Sequence, residues 1–472
     1  MFAQNSFILW TIYTSFPMQS NIRFIKILLI VAVLFMLPAL SAHAQTEISG
    51  TIRSYTARKL MLSLIKGDAQ LAVDSTVTDR KGNFVFSMDS DAIPGMYVLS
   101  TDEKQSIRII FDRQSVSLYS DGFGDEDVVR FTGSDDNTAW YDYYLLKSNN
   151  RYLQDLIKPL LQQYPDNLMF YEQALAEYTR LQAEVHDKAA AIINKNSNDL
   201  ASRFIKADLS PVTDPGLPFD EQRALLIRDF FKSVDFQDTA LIYSDILTRK
   251  VIDYLSMHQR QGMSLNEAQL AFMQGIDRVL GLASESDKMY VFVLDYLLRG
   301  FSGMGFGMVT DFLATLPRLD RSCMEPALFQ QLEASVAPFR KVKNGAPAPD
   351  IISVDLSGNP FVLSKQQPAK SVVLFWSVSC PHCLSMLPGL KQLADEFQLR
   401  VISVVIGSET SALNSLIAEH KLNWIHLMDG KGWEGQTVKD YAIYATPTLY
   451  LLDEKNHITG KPFDLEELRE ML

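Results

Sequence analysis

Residues 372–397 read VVLFWSVSCPHCLSMLPGLKQLADEF, and the fold of the C-terminal quarter of the chain follows from this stretch. Residues 372–376 are an apolar run too short for a helix and followed by small polar residues, which reads as a buried strand. After a three-residue loop, Cys383, Leu387, Leu390, Ala394 and Phe397 recur at helical spacing, which predicts Cys383 on the inward face of a helix. Cys380 then falls at the N-terminus of that helix, where unpaired N–H groups and the positive end of the dipole favour a thiolate. Pro381 suits the first helical position, because its missing N–H costs nothing there. The two thiols are therefore expected to divide the work: Cys380 attacks a partner's disulfide and Cys383 resolves the mixed disulfide. A neutral or cationic imidazole at His382, close to Cys380, stabilises the thiolate and makes the pair more oxidising, so Pro381 and His382 are the expected redox-tuning residues.

Working outward, residues 401–406 and 448–452 read as further buried strands separated by helical segments. Residues 372–406 form a strand–helix–strand unit, expected to be a right-handed parallel crossover within a C-terminal α/β domain at 351–472. Upstream, Gly345 to Asp350 (GAPAPD) is rigid and incompatible with a helix, marking a linker at 341–350. Residues 135–340 follow helical spacing, as at Leu153, Ile157, Leu160 and Leu161 or at Val291, Leu294, Leu298 and Phe301, which predicts a central all-α domain. Its aromatic cluster at Trp140, Tyr141, Tyr143 and Tyr144 reads as core packing. Glycines 300, 303, 305 and 307 lack the Gly-Lys-Ser/Thr ending and preceding strand of a phosphate loop, so they read as a flexible turn between helices. Residues 45–134 predict an antiparallel β sandwich or barrel, with alternation at Leu71, Val73 and Val77 and at Ile107, Ile109 and Phe111. The turn Asp79 to Gly82, leading into Phe84, Val85 and Phe86, reads as a hairpin.

At 472 residues and 47% hydrophobic content the chain is long enough for about three domains. Residues 25–40 are mostly apolar, with Arg23 just before them and Lys26 at their start, and are followed by a small-x-small pattern, so 1–44 is expected to be a cleaved signal peptide. Its run of about 14 apolar residues falls short of the roughly 20 that span a bilayer. Met18 offers an alternative start. The net charge of −12 grows more negative when the cations of that segment are removed, which argues against nucleic acid or an anionic membrane as partners. Three cysteines cannot build a disulfide framework, and in an exported chain one adjacent pair plus a lone thiol, Cys323, points to redox chemistry. A zinc half-site is disfavoured because Cys323 is the only other thiol, so no metal is expected. A purely structural bridge across so short a loop is a poor staple. Cys323 itself is expected to be buried and inert rather than regulatory.

Ala348-Pro349-Asp350, Phe375-Trp376, the CPHC motif and Ala445-Thr446-Pro447-Thr448 together make residues 346–472 resemble the thioredoxin superfamily, in particular the TlpA-like thiol-disulfide oxidoreductases of bacterial envelopes. The resemblance implies a thioredoxin fold and a cis peptide before Pro447. It implies a substrate-contacting surface of Trp376, Thr446 and Pro447, with Pro388 kinking the redox helix. It further implies exchange with protein thiols and disulfides in the periplasm or cell envelope, a membrane electron donor and no cofactor. Three departures stand out: Ser379 where the family often has tryptophan, Leu374 where thioredoxins carry a buried acid, and a Pro-His dipeptide resembling that of DsbA-type oxidases. The resemblance implies a reductase or isomerase, while the Pro-His dipeptide leans towards oxidation. The alternatives are a DsbA-like oxidase and a non-enzymatic envelope-binding protein with an accessory thioredoxin domain.

Overall fold

The computed structural model describes residues 46–103, 105–124, 128–316 and 324–472; the expected signal segment and Cys323 lie outside them. Eight strands come first among the described residues: β1 (Thr46–Ile52), β2 (Lys59–Lys66), β3 (Ala69–Val77), β4 (Asn83–Met88), β5 (Gly95–Ser100), β6 (Ser106–Phe111), β7 (Val116–Ser120) and β8 (Arg130–Thr132). They form two four-stranded sheets, ordered β4-β1-β7-β8 and β3-β2-β5-β6. Inward side chains such as Ile48, Phe86 and Leu118 of one sheet meet Leu62, Leu99 and Ile109 of the other in one sandwich core. The pairing is antiparallel except for β1 with β7, which run parallel.

Two readings of this region are corrected. The Asp79–Gly82 turn exists, with Gly82 N–H donating to Asp79 O at 3.1 Å, but β3 pairs with β2 and β4 with β1, so it crosses between sheets instead of closing a hairpin. The alternation at Leu71, Val73 and Val77 does mark a strand, yet β3 is a sheet edge and these side chains are exposed.

Helices follow: α1 (Asp135–Gln163), α2 (Met169–Lys195), α3 (Leu200–Asp208), α4 (Phe219–Asp229), α5 (Ile246–Ser256), α6 (Leu265–Ala283), α7 (Asp287–Gly303), α8 (Gly307–Thr315) and α9 (Pro326–Lys341). Ser134 caps α1, and Asn137 in its first turn bonds both the N–H and the carbonyl of Ile110, fastening the helix to β6. Trp140 and Tyr143 are core residues, whereas Tyr144 is exposed. Met96, Val98 and Ile110, on the outer face of the sandwich, pack into the helical core, which explains why β5 and β6 are buried on both faces. No helix among the described residues is long and apolar enough to cross a membrane.

The remaining elements are β9 (Ile352–Val354), β10 (Pro360–Val362), β11 (Ser371–Trp376), α10 (Pro381–Phe397), β12 (Arg400–Val405), α11 (Thr410–His420), β13 (Ile425–Leu427), α12 (Gln436–Asp440), β14 (Thr448–Leu452), β15 (Ile458–Gly460) and α13 (Leu465–Met471). Their five-stranded sheet has the order β13-β12-β11-β14-β15, with β11 parallel to β12 and antiparallel to β14. The Gly345–Asp350 stretch lies against this domain: Gly345 N–H donates to Ile458 O, and Ala348 N–H to Asn456 O, each at 2.8 Å.

Candidate functional site

Strand β11 is buried along all six residues, as expected of a central strand covered on both faces. The chain leaves it through Ser377 and turns into α10, with Cys380 as the N-cap and Pro381 at the first helical position. A cap residue satisfies a free helical N–H, and here the acceptor is sulfur: Cys383 N–H donates to Cys380 Sγ at 3.2 Å. Helix phase carries Cys383 inward to 1% exposure, while Cys380 stays half-buried at the surface. Leu387, Leu390 and Ala394 continue the buried stripe, but Phe397 is exposed. It lies beyond the edge of the core, with the Arg469 guanidinium 5.6 Å above its ring.

Opposite the helix terminus, the Thr446–Pro447 peptide is cis, and Cys380 Sγ donates to the Thr446 carbonyl at 3.5 Å. Burial pushes the Cys380 thiol up. Hydrogen bonds from the Cys383 thiol, the Thr446 side chain and the N–H groups of Cys383 and His382 outweigh that, holding it below the ordinary thiol value. Burial, reinforced by the neighbouring Cys380, pushes the Cys383 thiol up to about 11. Leu374 packs in the same cluster as Cys383 and surrounds it with aliphatic carbon.

The structure thus brings Cys380, Cys383, Pro381, His382, Thr446 and Pro447 together and leaves out Trp376. Trp376 is fully buried, and its indole N–H donates to Ser403 Oγ at 2.7 Å, so it belongs to the core rather than to a substrate-contacting surface. His382 is exposed and, with Thr446 and Pro447, lines a cleft of about 680 Å3. The cleft's other wall was missed by the sequence reading: Ser302 to Gly307 and Phe339 come from the helical domain. The glycine spacing from 300 to 307 was the available signal. It does make a turn between α7 and α8, with Gly305 at φ +75°, and that turn faces the redox motif.

Residues 344–461 match the AhpC/TSA family, and residues 46–140 match a domain of unknown function, DUF4369. The chain is 30% identical over 122 residues to the thioredoxin-like protein YneN of Bacillus subtilis (strain 168), covering 25% of this chain and 69% of that protein. It is 28% identical over 110 residues to the sporulation thiol-disulfide oxidoreductase A of the same organism, covering 21% of this chain and 65% of that protein. The crystal structure of a thioredoxin-like protein from Bacteroides caccae ATCC 43185 superposes with a TM-score of 0.37 at 19% identity, covering 56% of this chain and 96% of that one.

Proposed function

Since the chain belongs, through its C-terminal domain, to the thioredoxin-like thiol-disulfide oxidoreductases, we propose that Cys380 and Cys383 are its catalytic pair and that they exchange disulfides with exported proteins. The observation that carries this reading is the asymmetry of the pair: one thiol capping a helix at the surface with its pKa lowered, the other sealed beneath it with its pKa raised.

In the reducing direction the Cys380 thiolate attacks one sulfur of a substrate disulfide. A mixed disulfide forms and the other substrate sulfur leaves as a thiolate, which takes up a proton. Cys383 then loses its proton and attacks Cys380 Sγ, releasing the second substrate thiol and leaving the Cys380–Cys383 disulfide. Two electrons pass to the substrate, and a membrane electron donor restores the dithiol. The Thr446 backbone beside Cys380 is placed to pair with an extended substrate segment, with Pro447 as the opposing wall. Pro381 starts the helix, and His382 acts on the sulfur through its backbone N–H.

The oxidase reading draws on one specific observation, the set of hydrogen bonds to the Cys380 sulfur, since stabilising the thiolate favours the reduced form and makes the disulfide more oxidising. The reduction potential separates the two. A value near about −270 mV supports the reductase and one near about −120 mV the oxidase. Cys380→Ser is expected to abolish reduction of a protein disulfide such as that of insulin, and Cys383→Ser to accumulate the mixed disulfide. Partner binding and phenotype that survive Cys380→Ser unchanged rule the reading out in favour of a binding protein with an accessory redox domain.

A further inference from the structure

The turn between α7 and α8 is seated on the residues that flank the cis-proline loop. Ser302 Oγ donates to Ala442 O at 3.1 Å. A Cβ built at Gly303 meets Ala445 Cβ at 3.9 Å, one at Gly305 meets the Phe463 ring at 3.0 Å, and one at Gly307 meets Lys461 Cβ at 2.9 Å. Glycine is what allows this approach at 305 and 307, whereas the contact at 303 is of ordinary length. Phe306 packs against Phe463, and Phe339 stacks flat on Tyr444 with centroids 5.7 Å apart. Lys461, nearly buried, reaches Asp311 of α8 at 2.5 Å and pins the two domains together.

The cleft beside this contact is lined by Met304, Phe306 and Phe463 and by His382, Met386, Thr446 and Pro447; neither cysteine lines it, but Thr446, whose carbonyl accepts from Cys380 Sγ, does. Its size lies within the range of about 300–1,000 Å3 that encloses ligands larger than a single side chain. Met304 and Phe463 are 42% and 46% exposed, so apolar surface is left open to water at the redox site.

Resting on the disulfide-exchange reading above, we propose that this cleft selects the substrate: it takes the stretch of an extended polypeptide next to the reacting cysteine and favours bulky aliphatic or aromatic side chains there. The occupant follows from the cleft's share in the cis-proline loop, since Thr446 both lines it and touches Cys380 Sγ, and from its carbon-rich walls. Folded proteins bury such side chains, so the preferred partner is an unfolded or locally extended segment. The helical domain is then a specificity element for chemistry carried out by the α/β domain.

Two peptides of equal length test this, each with one cysteine in disulfide linkage to glutathione, one flanked by Leu and Phe and the other by Ser and Asn. The Cys380 thiolate attacks the peptide sulfur, glutathione leaves as its thiolate, and Cys383 then displaces the peptide thiol. The reduced full chain is expected to react about tenfold faster with the apolar peptide, since seating one such side chain is favourable by at least that factor. Met304→Asp should bring the ratio of the two rates close to one, and Met304→Leu should retain it. Equal rates with the unaltered chain, or a preference that survives Met304→Asp, overturn the specificity while leaving the exchange reading intact. Failure of both peptides and of glutathione disulfide to react overturns the exchange reading, and this inference with it.

Discussion

The sheet beneath the redox helix is sealed on its two faces by different parts of the chain. On one face Val372, Leu374 and Trp376 of β11 pack with Leu387 and Leu390 of α10, Leu413 of α11 and Leu468 of α13, in a cluster drawn entirely from the C-terminal domain that also holds Cys383. On the other, Val373 and Phe375 join Ile402, Val404 and Tyr450 in a cluster that continues into Leu298, Phe301, Leu313 and Phe339 of the helices and on to the outer face of the β sandwich. One strand therefore serves two purposes by simple alternation. The redox face is local and self-contained, whereas the opposite face makes the α/β domain part of a larger core.

The comparison is broken or sharpened first by truncating neighbouring residues of β11. Phe375→Ala is expected to cost about 3–5 kcal/mol, and Leu374→Ala about 2–5 kcal/mol. The location of the damage matters more than its size. Hydrogen exchange should rise in α7 and α8 as well as in the sheet for Phe375→Ala, but only within the C-terminal domain for Leu374→Ala. Unchanged exchange in α7 and α8 after Phe375→Ala means that the two domains are not energetically one body.

The next effect is at the ion pair between them. Asp311→Ala leaves the nearly buried Lys461 ammonium without its carboxylate, and about 3 kcal/mol is expected for stranding a buried charge. Lys461→Met, which removes the charge along with the need for a partner, should lie much closer to the unaltered chain in urea denaturation. Equal losses from both substitutions would show that the pair contributes only packing. On the redox face the corresponding polar contact is smaller: Ser403→Ala removes the acceptor of the Trp376 indole N–H and a partner of His426. About 1–3 kcal/mol is expected for the orphaned donor, read from the urea midpoint at constant slope.

What was legible from sequence tracks how local its cause is. The placement of Cys380 and Cys383 on different faces of one helix turn is set by a 3.6-residue period within a few positions, and it could be read directly. Trp376 was assigned by resemblance to the substrate-contacting surface and lies in the core instead, because a strand buried on both faces has no polar alternation to say which side meets a substrate. Leu71, Val73 and Val77 show the reverse failure: alternation marked a strand but not that β3 lies at an edge with both faces open. The Asp79–Gly82 turn was recognised by its chemistry, yet its two arms pair in different sheets, β3 with the preceding β2 and β4 with β1 more than thirty residues away in sequence. The same nonlocality hid the cleft. Glycines 300 to 307 announce a turn, and only the packed structure brings that turn against residues 442–463.

The smallest expected energies, and the most direct probe of the sealed face, come from the thiols themselves. Cys380 ionises below the ordinary thiol value, so its contribution to stability grows as pH rises from its own folded pKa to the ordinary value and is fully present above that. Cys383, pushed up to about 11, acts with the opposite sign: the unfolded chain ionises first, so stability falls between about pH 8.5 and its folded value. In the reduced protein the two contributions partly cancel, and because each thiol shifts the other, replacing either with serine is expected to alter the shift of the one that remains. Alkylation gives the same information site by site, because only the thiolate reacts and only an accessible sulfur is reached. At pH 7 iodoacetamide should label Cys380 while Cys383 remains unmodified, and labelling of Cys380 should decline only as pH falls below its lowered pKa. Comparable labelling of both thiols at pH 7 would mean that the cluster around Cys383 opens faster than its burial allows, and the contrast between a sealed redox face and a shared opposite face would then be one of composition rather than of access.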